Sequence, residues 1–300
     1  MKKKAIVTGA TGFVGSNLSK KLISNGWEVH TINRRITPFL EELTQLGAQN
    51  VLIPLGREDS IPEIITSINP HIVFHLAACV ITNHECRDIR EMIQSNVTFG
   101  TYILEGLRES ECKNIINTGT FWQHYSNESY SAVNLYAASK QAFQSIIDFY
   151  VESYSIKAIT LKLFDNYGPN DSRNKLFNQL SRAARTGNEI DMTMGEQLIN
   201  LVYIDDVVEA YVVAHDLISE ASYKGHQQFR VSSFEEISLK DLVLLYERLL
   251  GHPININWGG KPYRDREMFR PPNIGNNLPN WTPKIGLEKG LKLLLGIDNE

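Results

Sequence analysis

Short apolar runs of strand length alternate with longer segments of helical periodicity through the first half of the chain. The first run, Ala5–Val7, is followed by apolar positions at helical spacing between residues 14 and 23, and Asn25-Gly26 ends that segment. Such alternation is typical of a parallel sheet covered by helices. The pattern therefore predicts an α/β protein with a doubly wound parallel sheet, whose strands include residues 5–7, 27–32, 72–78, 114–117 and 157–164.

The pattern changes after the apolar run 157–164, where the turn-rich segment 166–171 begins. The C-terminal third mixes short elements with clusters of Pro, Gly and Asn, and the segment 201–208 has the pattern of a strand followed by a capped helix. This segment would return the chain to the first lobe. We predict a first domain of residues 1–165 plus about 200–218, and a smaller, mixed C-terminal lobe of residues 166–199 plus 219–300.

The composition is that of an ordinary globular protein and excludes several functional classes. The 300 residues are 42% hydrophobic and 21% charged, which is enough to bury a sizeable core. A net charge of -4 gives no general field for nucleic acid or anionic lipid, and no apolar segment is long enough to span a bilayer. Cys79, Cys86 and Cys112 lack the paired spacing of a zinc site and suit a reducing compartment. We expect a cytoplasmic protein without nucleic-acid or membrane partners and without a metal site, in which His75 is a hydrogen-bonded core residue.

The segment Thr8–Gly15 places three glycines at intervals of three directly after the first apolar run. Gly9 permits a tight turn, Gly12 lets the backbone approach phosphate oxygens, and Gly15 allows close packing of helix on strand. The amides that open the following helix would face an anion. A glycine-rich turn without a ligand has the same spacing, but the strand and helix around it favour a dinucleotide site, with these expected cofactor-binding residues: Gly9, Thr11, Gly12, Phe13, Val14, Gly15, Leu76, Ala77, Ala78 and Asn96.

The end of the second predicted strand, Asn33-Arg34-Arg35, bears on the choice of dinucleotide. An acidic residue at this place accepts the adenosine ribose hydroxyls in NAD-binding proteins. An arginine could instead hold a 2′-phosphate through charge-assisted hydrogen bonds. We therefore expect Asn33, Arg34 and Arg35 to contact the cofactor, and NADP(H) to be favoured over NAD(H), unless both arginines point into solvent or pair with Glu41 and Glu42.

Tyr136 and Lys140 are four positions apart in a segment rich in helix-forming residues, so both side chains should project from one helix face. A neighbouring ammonium favours the phenolate form of a tyrosine, which would let Tyr136 exchange a proton with a sugar hydroxyl or ketone. Thr118 ends a predicted strand, and its hydroxyl could hold the reacting oxygen against the phenol. Without a cofactor site in the same half of the chain, this spacing would describe a surface pair on an amphipathic helix.

Together, the segment 8–15, the strand end at Thr118, the Tyr136 and Lys140 pair and the segment 163–169 resemble the extended short-chain dehydrogenase/reductase family, of the NAD-dependent epimerase/dehydratase type. The resemblance runs through nearly the whole chain. It implies a Rossmann-type first domain that binds a nicotinamide cofactor, with a nucleotide-linked sugar bound between the lobes. It also implies that Tyr136 is the acid/base, that Lys140 holds the nicotinamide ribose and lowers the pKa of the tyrosine, and that Thr118 positions the substrate.

The residues after Thr118 bear on the type of reaction. Family dehydratases follow the catalytic threonine with Asp and Glu, whereas this chain has Gly119 and Thr120, so 4-keto reductases and 4-epimerases are the candidates that the resemblance leaves. Four segments are similar to CDP-abequose and CDP-paratose synthases, which reduce a CDP-4-keto-6-deoxyhexose with NADPH: residues 117–118, 167–171, 195–197 and 201–206.

We therefore expect an NADP(H)-dependent oxidoreductase that reduces the 4-keto group of a CDP- or dTDP-linked 6-deoxy sugar. The alternative is an NAD-dependent nucleotide-sugar 4-epimerase that resembles UDP-glucose 4-epimerases. A third hypothesis is a cofactor-binding sensor without catalysis. The set of Thr118, Tyr136 and Lys140 argues against it, because a sensor needs no acid/base group. The apolar helical stripe within residues 143–151 corresponds to a helix that pairs two subunits in related proteins, which implies a homodimer.

The substrate lobe departs from the family pattern at two positions. Ile199 stands where many relatives carry an arginine that grips the nucleotide diphosphate, and Asp165 replaces a common asparagine. Cations elsewhere in the lobe could compensate. The residues expected to contact the substrate are Thr120, Asn166, Arg173, Lys175, Arg264 and Arg266.

Overall fold

The structure, a computed structural model, describes residues 2–54 and 56–297. The strands within these ranges are β1 (Lys4–Thr8), β2 (Glu28–Asn33), β3 (Gln49–Leu52), β4 (Ile72–His75), β5 (Asn114–Thr120), β6 (Lys157–Leu163), β7 (Asp165–Tyr167), β8 (Ile190–Met192), β9 (Leu198–Tyr203), β10 (His226–Val231), β11 (Glu236–Ser238), β12 (Ile256–Trp258) and β13 (Asn276–Asn277). The helices are α1 (Phe13–Ser24), α2 (Pro38–Gln45), α3 (Ile61–Ile68), α4 (Ile89–Ile93), α5 (Phe99–Glu109), α6 (Leu135–Tyr154), α7 (Leu176–Thr186), α8 (Ile204–Ile218), α9 (Leu239–Leu250) and α10 (Leu287–Leu295).

The main sheet has eight strands in the order β13-β10-β6-β5-β4-β1-β2-β3, and all neighbours pair in parallel. The strand order changes direction at β1, which is the mark of a doubly wound, Rossmann-like sheet. The predicted fold class is confirmed. The apolar run 72–78 is a strand only as far as His75, and the short strand β3 has no counterpart in the predicted pattern.

Helices cover both faces of this sheet and create two apolar cores. On one face α1 packs against α8, and on the other α5 packs against α3 and α6. Side chains of β5 alternate between the two cores, so that Ile115 belongs to one and Ile116 to the other. This burial on both faces explains why the strands read as continuous apolar runs.

The smaller lobe has a mixed sheet, as predicted. β9 pairs in parallel with β7 and antiparallel with β11, and β8 pairs in parallel with β12. After β9 the chain returns to the main sheet, where α8 packs on α1, β5 and β6. None of the helices in the described ranges has both the length and the apolar character needed to cross a lipid bilayer.

Candidate active site

The glycine-rich turn joins β1 to α1 and leaves no room for side chains at two of its glycines. Gly9 has a φ of +70°, and a Cβ there would lie 2.7 Å from the backbone nitrogen of Ala77. A Cβ on Gly15 would overlap the carbonyl oxygen of Gly9. The amide of Gly12 donates to the same carbonyl at 2.9 Å and closes the turn. The bare backbone of this turn fits the phosphates of a dinucleotide at the start of α1.

A cavity of about 630 Å³ opens from this turn across the carboxyl ends of β1, β2 and β4. Residues predicted to bind the cofactor line one side of it, namely Gly9, Thr11, Gly12, Asn33, Arg34, Arg35, Leu76, Ala77 and Ala78. The other lining residues were not predicted, and they include Glu58, Arg87, Arg90, Glu91 and Phe99. These residues belong to no local motif, because their place depends on how the segments after β3 and β4 fold back over the sheet.

Four arginines line this cavity: Arg34, Arg35, Arg87 and Arg90. Arg34 lies 3.5 Å from Glu91, and their side chains are 50% and 61% exposed. An exposed pair at this distance is weak and leaves the guanidinium available to a ligand. The cavity therefore combines a surplus of positive charge with the glycine-rich turn.

Neighbouring side chains decide whether Asn33 is free to contact a cofactor and whether Arg34 and Arg35 pair with glutamates. The side-chain amide of Asn33 donates to Thr31 at 2.6 Å and is buried, so this nitrogen is engaged inside the sheet. The carboxylate of Glu42 lies 2.6 Å from the ammonium of Lys20 and forms no salt bridge with Arg34 or Arg35 in the described residues. The side-chain nitrogen of Asn33 therefore has a partner within the protein, and Asn33, Arg34 and Arg35 all line the cavity.

Tyr136 and Lys140 lie on the buried face of α6, in its first turns. The side chain of Asn134 caps this helix by accepting from the amide of Ala137 at 3.0 Å. Tyr136 is 9% exposed and Lys140 is 1% exposed. The structure thus brings both side chains to one helix face, as their spacing predicts.

The ammonium of Lys140 is buried without a hydrogen-bond partner among residues 2–54 and 56–297. Burial lowers the pKa of Lys140 to about 8. An unpaired buried ammonium is costly, and its donors suit hydroxyl acceptors brought in by a ligand. The ammonium of Lys140 and the glycine-rich turn at Gly9 together fit a dinucleotide whose ribose would lie beside Lys140.

The acidity of Tyr136 differs from what the sequence predicts. Burial raises the pKa of the phenol to about 12, and the positive charge of Arg173 opposes this rise. Desolvation outweighs the nearby charge, so the phenol is protonated at neutral pH.

Asn96 is fully buried and holds α6 against the strand ends. Its side chain donates to the hydroxyl of Ser139 and to the carbonyl of Cys79, each at 2.9 Å. It also accepts from the amide of Cys79 at 2.7 Å. Asn96 therefore does not line the cofactor cavity but fixes the helix that carries Tyr136 relative to the segment after β4.

His75 is a core residue at the end of β4. Its Nδ1 lies 2.9 Å from the hydroxyl of Thr8, which also accepts from the amides of Leu76 and Ala77. Burial, followed by the charge of Lys140, lowers the pKa of His75 to about 3. The imidazole is therefore neutral and braces the strand end. The described residues contain no group of three His, Cys, Asp or Glu side chains arranged to hold a metal ion.

The hydroxyl of Thr118 lies 2.6 Å from the phenol oxygen of Tyr211 on α8. It is therefore engaged within the protein, whereas the sequence analysis expects it to hold the reacting oxygen. Two residues further on, the hydroxyl of Thr120 accepts from the amide of Trp122 at 3.3 Å. This bond opens a helical turn that holds the Trp122 ring 6.5 Å from the ring of Tyr136.

Arg173, one of the cations expected at the substrate, is already bound within the protein. Its guanidinium forms an ion pair with Asp171 at 2.7 Å and donates to the side chain of Asn166 at 2.9 Å. Its guanidinium carbon also lies 4.6 Å from the centre of the Phe13 ring. Arg173 and Asn166 therefore support each other, and two of the three guanidinium nitrogens of Arg173, Nε and Nη2, are engaged within the protein.

Asp165, which departs from the family pattern, is surrounded by cations. Burial raises the pKa of its carboxyl, and the charges of Lys175, Arg173 and Arg264 oppose the rise, in that order. The salt bridges of the described residues include neither Lys175 nor Arg264. The charges of Lys175 and Arg264 both act on Asp165, and both cations could also bind an anion.

The segment that carries Arg264 and Arg266 lies over aromatic residues that follow β5. The guanidinium carbon of Arg264 is 5.4 Å from the ring centre of Trp122, and that of Arg266 is 4.3 Å from the ring centre of Tyr125. Arg266 also donates to the hydroxyl of Ser131 at 2.6 Å. The ring of Trp122 therefore lies between Arg264 and Tyr136, at 5.4 Å from the guanidinium carbon and 6.5 Å from the tyrosine ring.

A second, larger cavity of about 940 Å³ lies between the turn 125–127, the loop after β10 and the segment 267–273. The predicted substrate residues Thr120, Asn166, Arg173, Lys175, Arg264 and Arg266 are not among its lining residues. Its walls include Phe164, Asn200, Arg230, Arg270 and Trp281, which sequence analysis did not single out. These residues meet only because the C-terminal lobe folds back onto the ends of β6 and β10.

The chain is similar to known proteins over nearly its whole length. Residues 5–226 match the model of a family described as the NAD dependent epimerase/dehydratase family. A CDP-abequose synthase of Salmonella muenchen is 30% identical over 299 residues, which cover 98% of each chain. A CDP-abequose synthase of Yersinia pseudotuberculosis is 27% identical over 271 residues, which cover 89% of this chain and 91% of the relative. The crystal structure of UDP-glucose 4-epimerase from Thermotoga maritima with UDP-glucose has the same fold, with a TM-score of 0.84, 23% identity and 98% of each chain covered.

Proposed function

Because the chain belongs to the NAD dependent epimerase/dehydratase family and is thus an NAD(P)-dependent enzyme, we propose that it reduces the 4-keto group of a CDP- or dTDP-linked 6-deoxy sugar with NADPH. Similarity to CDP-abequose synthases over nearly the whole chain supports this choice. The observation that carries the proposal is the buried Tyr136 on one helix face with Lys140, whose ammonium has no hydrogen-bond partner within residues 2–54 and 56–297.

The bound dinucleotide would supply the hydride that reduces the carbonyl carbon. Tyr136 supplies the proton: with a pKa of about 12, its phenol is in the acid form that carbonyl reduction requires. The O–H bond of Tyr136 breaks as the new hydroxyl forms on the sugar, and solvent returns the proton to the phenolate. Lys140, charged below its pKa of about 8, holds the ribose hydroxyls through its donors.

The residues at the end of β5 support reduction of the sugar rather than elimination of water from it. Elimination needs an additional acid and base, and Gly119 and Thr120 supply neither. A Cβ at Gly119 would lie 2.9 Å from the methyl group of Thr160, so the strand has no room for a carboxylate side chain there. This packing supports a 4-keto reductase rather than a dehydratase.

The charges of the cofactor cavity support NADP(H) over NAD(H). Arg34 and Arg35 lie at the end of β2, and Arg87 and Arg90 line the same cavity. A 2′-phosphate would gain charge-assisted hydrogen bonds there. The weak pair between Arg34 and Glu91 would open at small cost.

We further propose that the nucleotide sugar lies between Tyr136 and the segment 263–266. Arg264 and Lys175 act on Asp165 and form no salt bridge with any residue that the structure describes, so they are the proposed partners of the diphosphate. Arg266 and Arg173 would support this region through their own contacts with the protein. Thr118 and Thr120 stay proposed substrate contacts, and each would share its hydroxyl between the substrate and its present partner.

A nucleotide-sugar 4-epimerase is the second candidate. The observation that favours it is the likeness to the UDP-glucose 4-epimerase structure, which is a likeness of fold at 23% identity. An epimerase returns the hydride to the same sugar and leaves the dinucleotide unchanged overall. The balance of NADPH therefore separates the two candidates.

We also propose that the protein is a cytoplasmic homodimer that pairs through α6. Phe149 on α6 is 54% exposed and contacts the rings of Tyr150 and Tyr154. An exposed aromatic cluster on a long helix suits a subunit contact. The free cysteines, of which Cys86 is exposed, suit a reducing compartment. Light scattering on the purified protein, with Phe149→Lys as the comparison variant, tests the dimer.

The decisive experiment incubates the protein with NADPH and either CDP- or dTDP-linked 4-keto-6-deoxyhexose. We expect one NADPH to be consumed for each sugar reduced at C4. Interconversion of C4 isomers such as UDP-glucose and UDP-galactose, without net change of cofactor, would instead establish the epimerase. No loss of NADPH with CDP, dTDP, UDP and GDP substrates would remove the reductase proposal.

A further inference from the structure

Arg173 covers an aromatic ring of the glycine-rich turn. Its guanidinium carbon lies 4.6 Å from the centre of the Phe13 ring. Phe13 is the first residue of α1 and is buried. A cation over a desolvated ring is held by electrostatic attraction as well as by packing. The contact therefore ties the substrate lobe to the start of the helix at which the dinucleotide phosphates are expected.

The other side of the Arg173 guanidinium is fixed by the segment before it. Its Nε and Nη2 donate to the two carboxylate oxygens of Asp171, each at 2.7 Å. Nη2 also donates to the side-chain oxygen of Asn166 at 2.9 Å and to its carbonyl at 3.2 Å. Because the guanidinium is a rigid, planar fork, these bonds set its plane relative to the Phe13 ring.

Backbone packing reinforces the same junction. A Cβ on Gly168 would lie 3.4 Å from Cζ of Phe13, so the turn 166–171 packs directly against the ring. On the far side, the side chain of Asn178 donates to the carbonyl of Arg173 at 2.6 Å and so connects the segment to α7. One continuous set of contacts therefore runs from the glycine-rich turn to α7.

We propose that Arg173 is a positioning residue that couples dinucleotide binding at the glycine-rich turn to the ordering of the substrate-binding segment 166–178. The inference deepens the proposed function and rests on it for the role of this segment. Its physical basis is that Phe13, Asn166 and Asp171 all contact one guanidinium, while Asn178 is bonded to the backbone carbonyl of the same residue. The charge of Arg173 also acts on Tyr136, because it opposes the burial that raises the pKa of this phenol.

Hydrogen exchange measured by mass spectrometry, with and without saturating NADP⁺ or NAD⁺, tests the coupling without any sugar nucleotide. In the wild type we expect the dinucleotide to slow exchange in residues 9–15 and also in residues 166–178, the latter by about fivefold or more, the lower end of typical coupling between sites. In Arg173→Met and in Phe13→Leu, slowing should persist at residues 9–15 and be lost at residues 166–178. A purely structural role would change exchange equally with and without the dinucleotide.

Two further variants keep the test decisive. Phe13→Tyr retains the ring face and should retain the coupling, so the Leu and Tyr pair at this position decides the question even if Arg173→Met fails to fold. Arg182→Met is the matched control, because Arg182 lies in α7 and bonds to Asn174 at 2.8 Å. Retained slowing at residues 166–178 in Phe13→Leu or Arg173→Met would overturn the inference, as would the lack of any dinucleotide effect on this segment in the wild type. Neither result bears on NADPH consumption, which tests the proposed function separately.

Discussion

The hydroxyl of Thr118 on β5 and the phenol of Tyr211 on α8 form a hydrogen bond of 2.6 Å between the main sheet and the helix that returns from the smaller lobe. Tyr211 is fully buried, and burial raises the pKa of its phenol, while the bond to Thr118 opposes the rise. Two groups that are distant in the chain thus satisfy each other. A substrate that uses the Thr118 hydroxyl must share it with Tyr211.

Removing either partner of this bond should destabilise the protein unequally. Thr118→Val leaves the buried phenol of Tyr211 unpaired, so we expect the free energy of unfolding to fall by about 1–3 kcal/mol. Tyr211→Phe removes the buried hydroxyl itself and should cost about 1 kcal/mol. Urea denaturation of both single variants and the double variant measures the coupling. Additive effects would contradict the bond as the shared cause.

Tyr136→Phe should abolish turnover and spare dinucleotide binding. The phenylalanine keeps the ring but lacks the proton that reaches the carbonyl oxygen, so we expect kcat to fall by about 10²–10⁴-fold. Steady-state kinetics and a fluorescence titration with NADPH measure the two effects. The exposed Tyr130, changed to Phe, is the control. Turnover within a few fold of the wild type in Tyr136→Phe would contradict the assignment of the acid.

Lys140→Met should stabilise the ligand-free protein while weakening dinucleotide binding. The substitution removes a buried ammonium without a partner in the described residues, so we expect the free energy of unfolding to rise by about 1–3 kcal/mol at pH 7. The matched control is Lys289→Met on the exposed side of α10. A lower thermal midpoint in Lys140→Met would argue that this ammonium is compensated in the folded state.

The lowered pKa of Lys140 predicts how the free energy of unfolding changes with pH. The pKa of Lys140 is about 8 in the folded protein, against roughly 10.4 for an unperturbed lysine. Between these values the unfolded chain binds the additional proton, so this group makes the free energy of unfolding rise with pH in that window. Denaturation curves from pH 7 to 10 should show a smaller rise in Lys140→Met than in the wild type.

Arg34→Met should weaken NADPH binding more than NADH binding. Loss of charge-assisted hydrogen bonds to a 2′-phosphate costs about 1.5–3 kcal/mol, which corresponds to roughly a tenfold to hundredfold rise in Kd. Calorimetric titration with both cofactors measures the ratio, and Arg57→Met, outside the cavity lining, is the control. Equal losses for both cofactors would indicate that Arg34 does not recognise the phosphate.

Arg264→Met should raise KM for the nucleotide sugar by about tenfold or more, because a diphosphate loses a charged partner. Arg266→Met should have a smaller effect, since Arg266 is already bound to Ser131 and covers Tyr125. Initial rates at varied sugar nucleotide compare the two variants directly. A larger rise in KM for Arg266→Met would reverse the proposed roles.

Several features of the candidate site were predictable because they depend on neighbours in the chain. The spacing of Gly9 and Gly15 predicted a turn too tight for side chains, and the structure has that turn. The four-residue spacing of Tyr136 and Lys140 predicted a shared helix face, which α6 provides. The buried strands were readable as apolar runs because helices cover both faces of the sheet.

Other features could not be predicted, because they depend on which distant segments meet. Nothing local to Thr118 indicates that Tyr211 will bond to it, or that Arg173 will lie over Phe13. Arg87 and Arg90 reach the cofactor cavity only because the segment after β4 crosses the strand ends. The acidity of Tyr136 was misjudged for the same reason, since burial is a property of the whole packing.

The amino-acid sequence by itself determined the periodic elements, the glycine-rich turn and the pairing of Tyr136 with Lys140 on one helix, since each follows from backbone geometry over a few residues. Only the tertiary structure decided how strongly each polar group is desolvated and which charge faces it. It left Lys140 without a partner in the described part of the chain and placed Arg173 as the charge that acts on Tyr136. The reason is physical: spacing along a helix or strand is set by local hydrogen bonds, whereas burial and electrostatic interaction depend on distances in space between parts of the chain that are far apart in sequence.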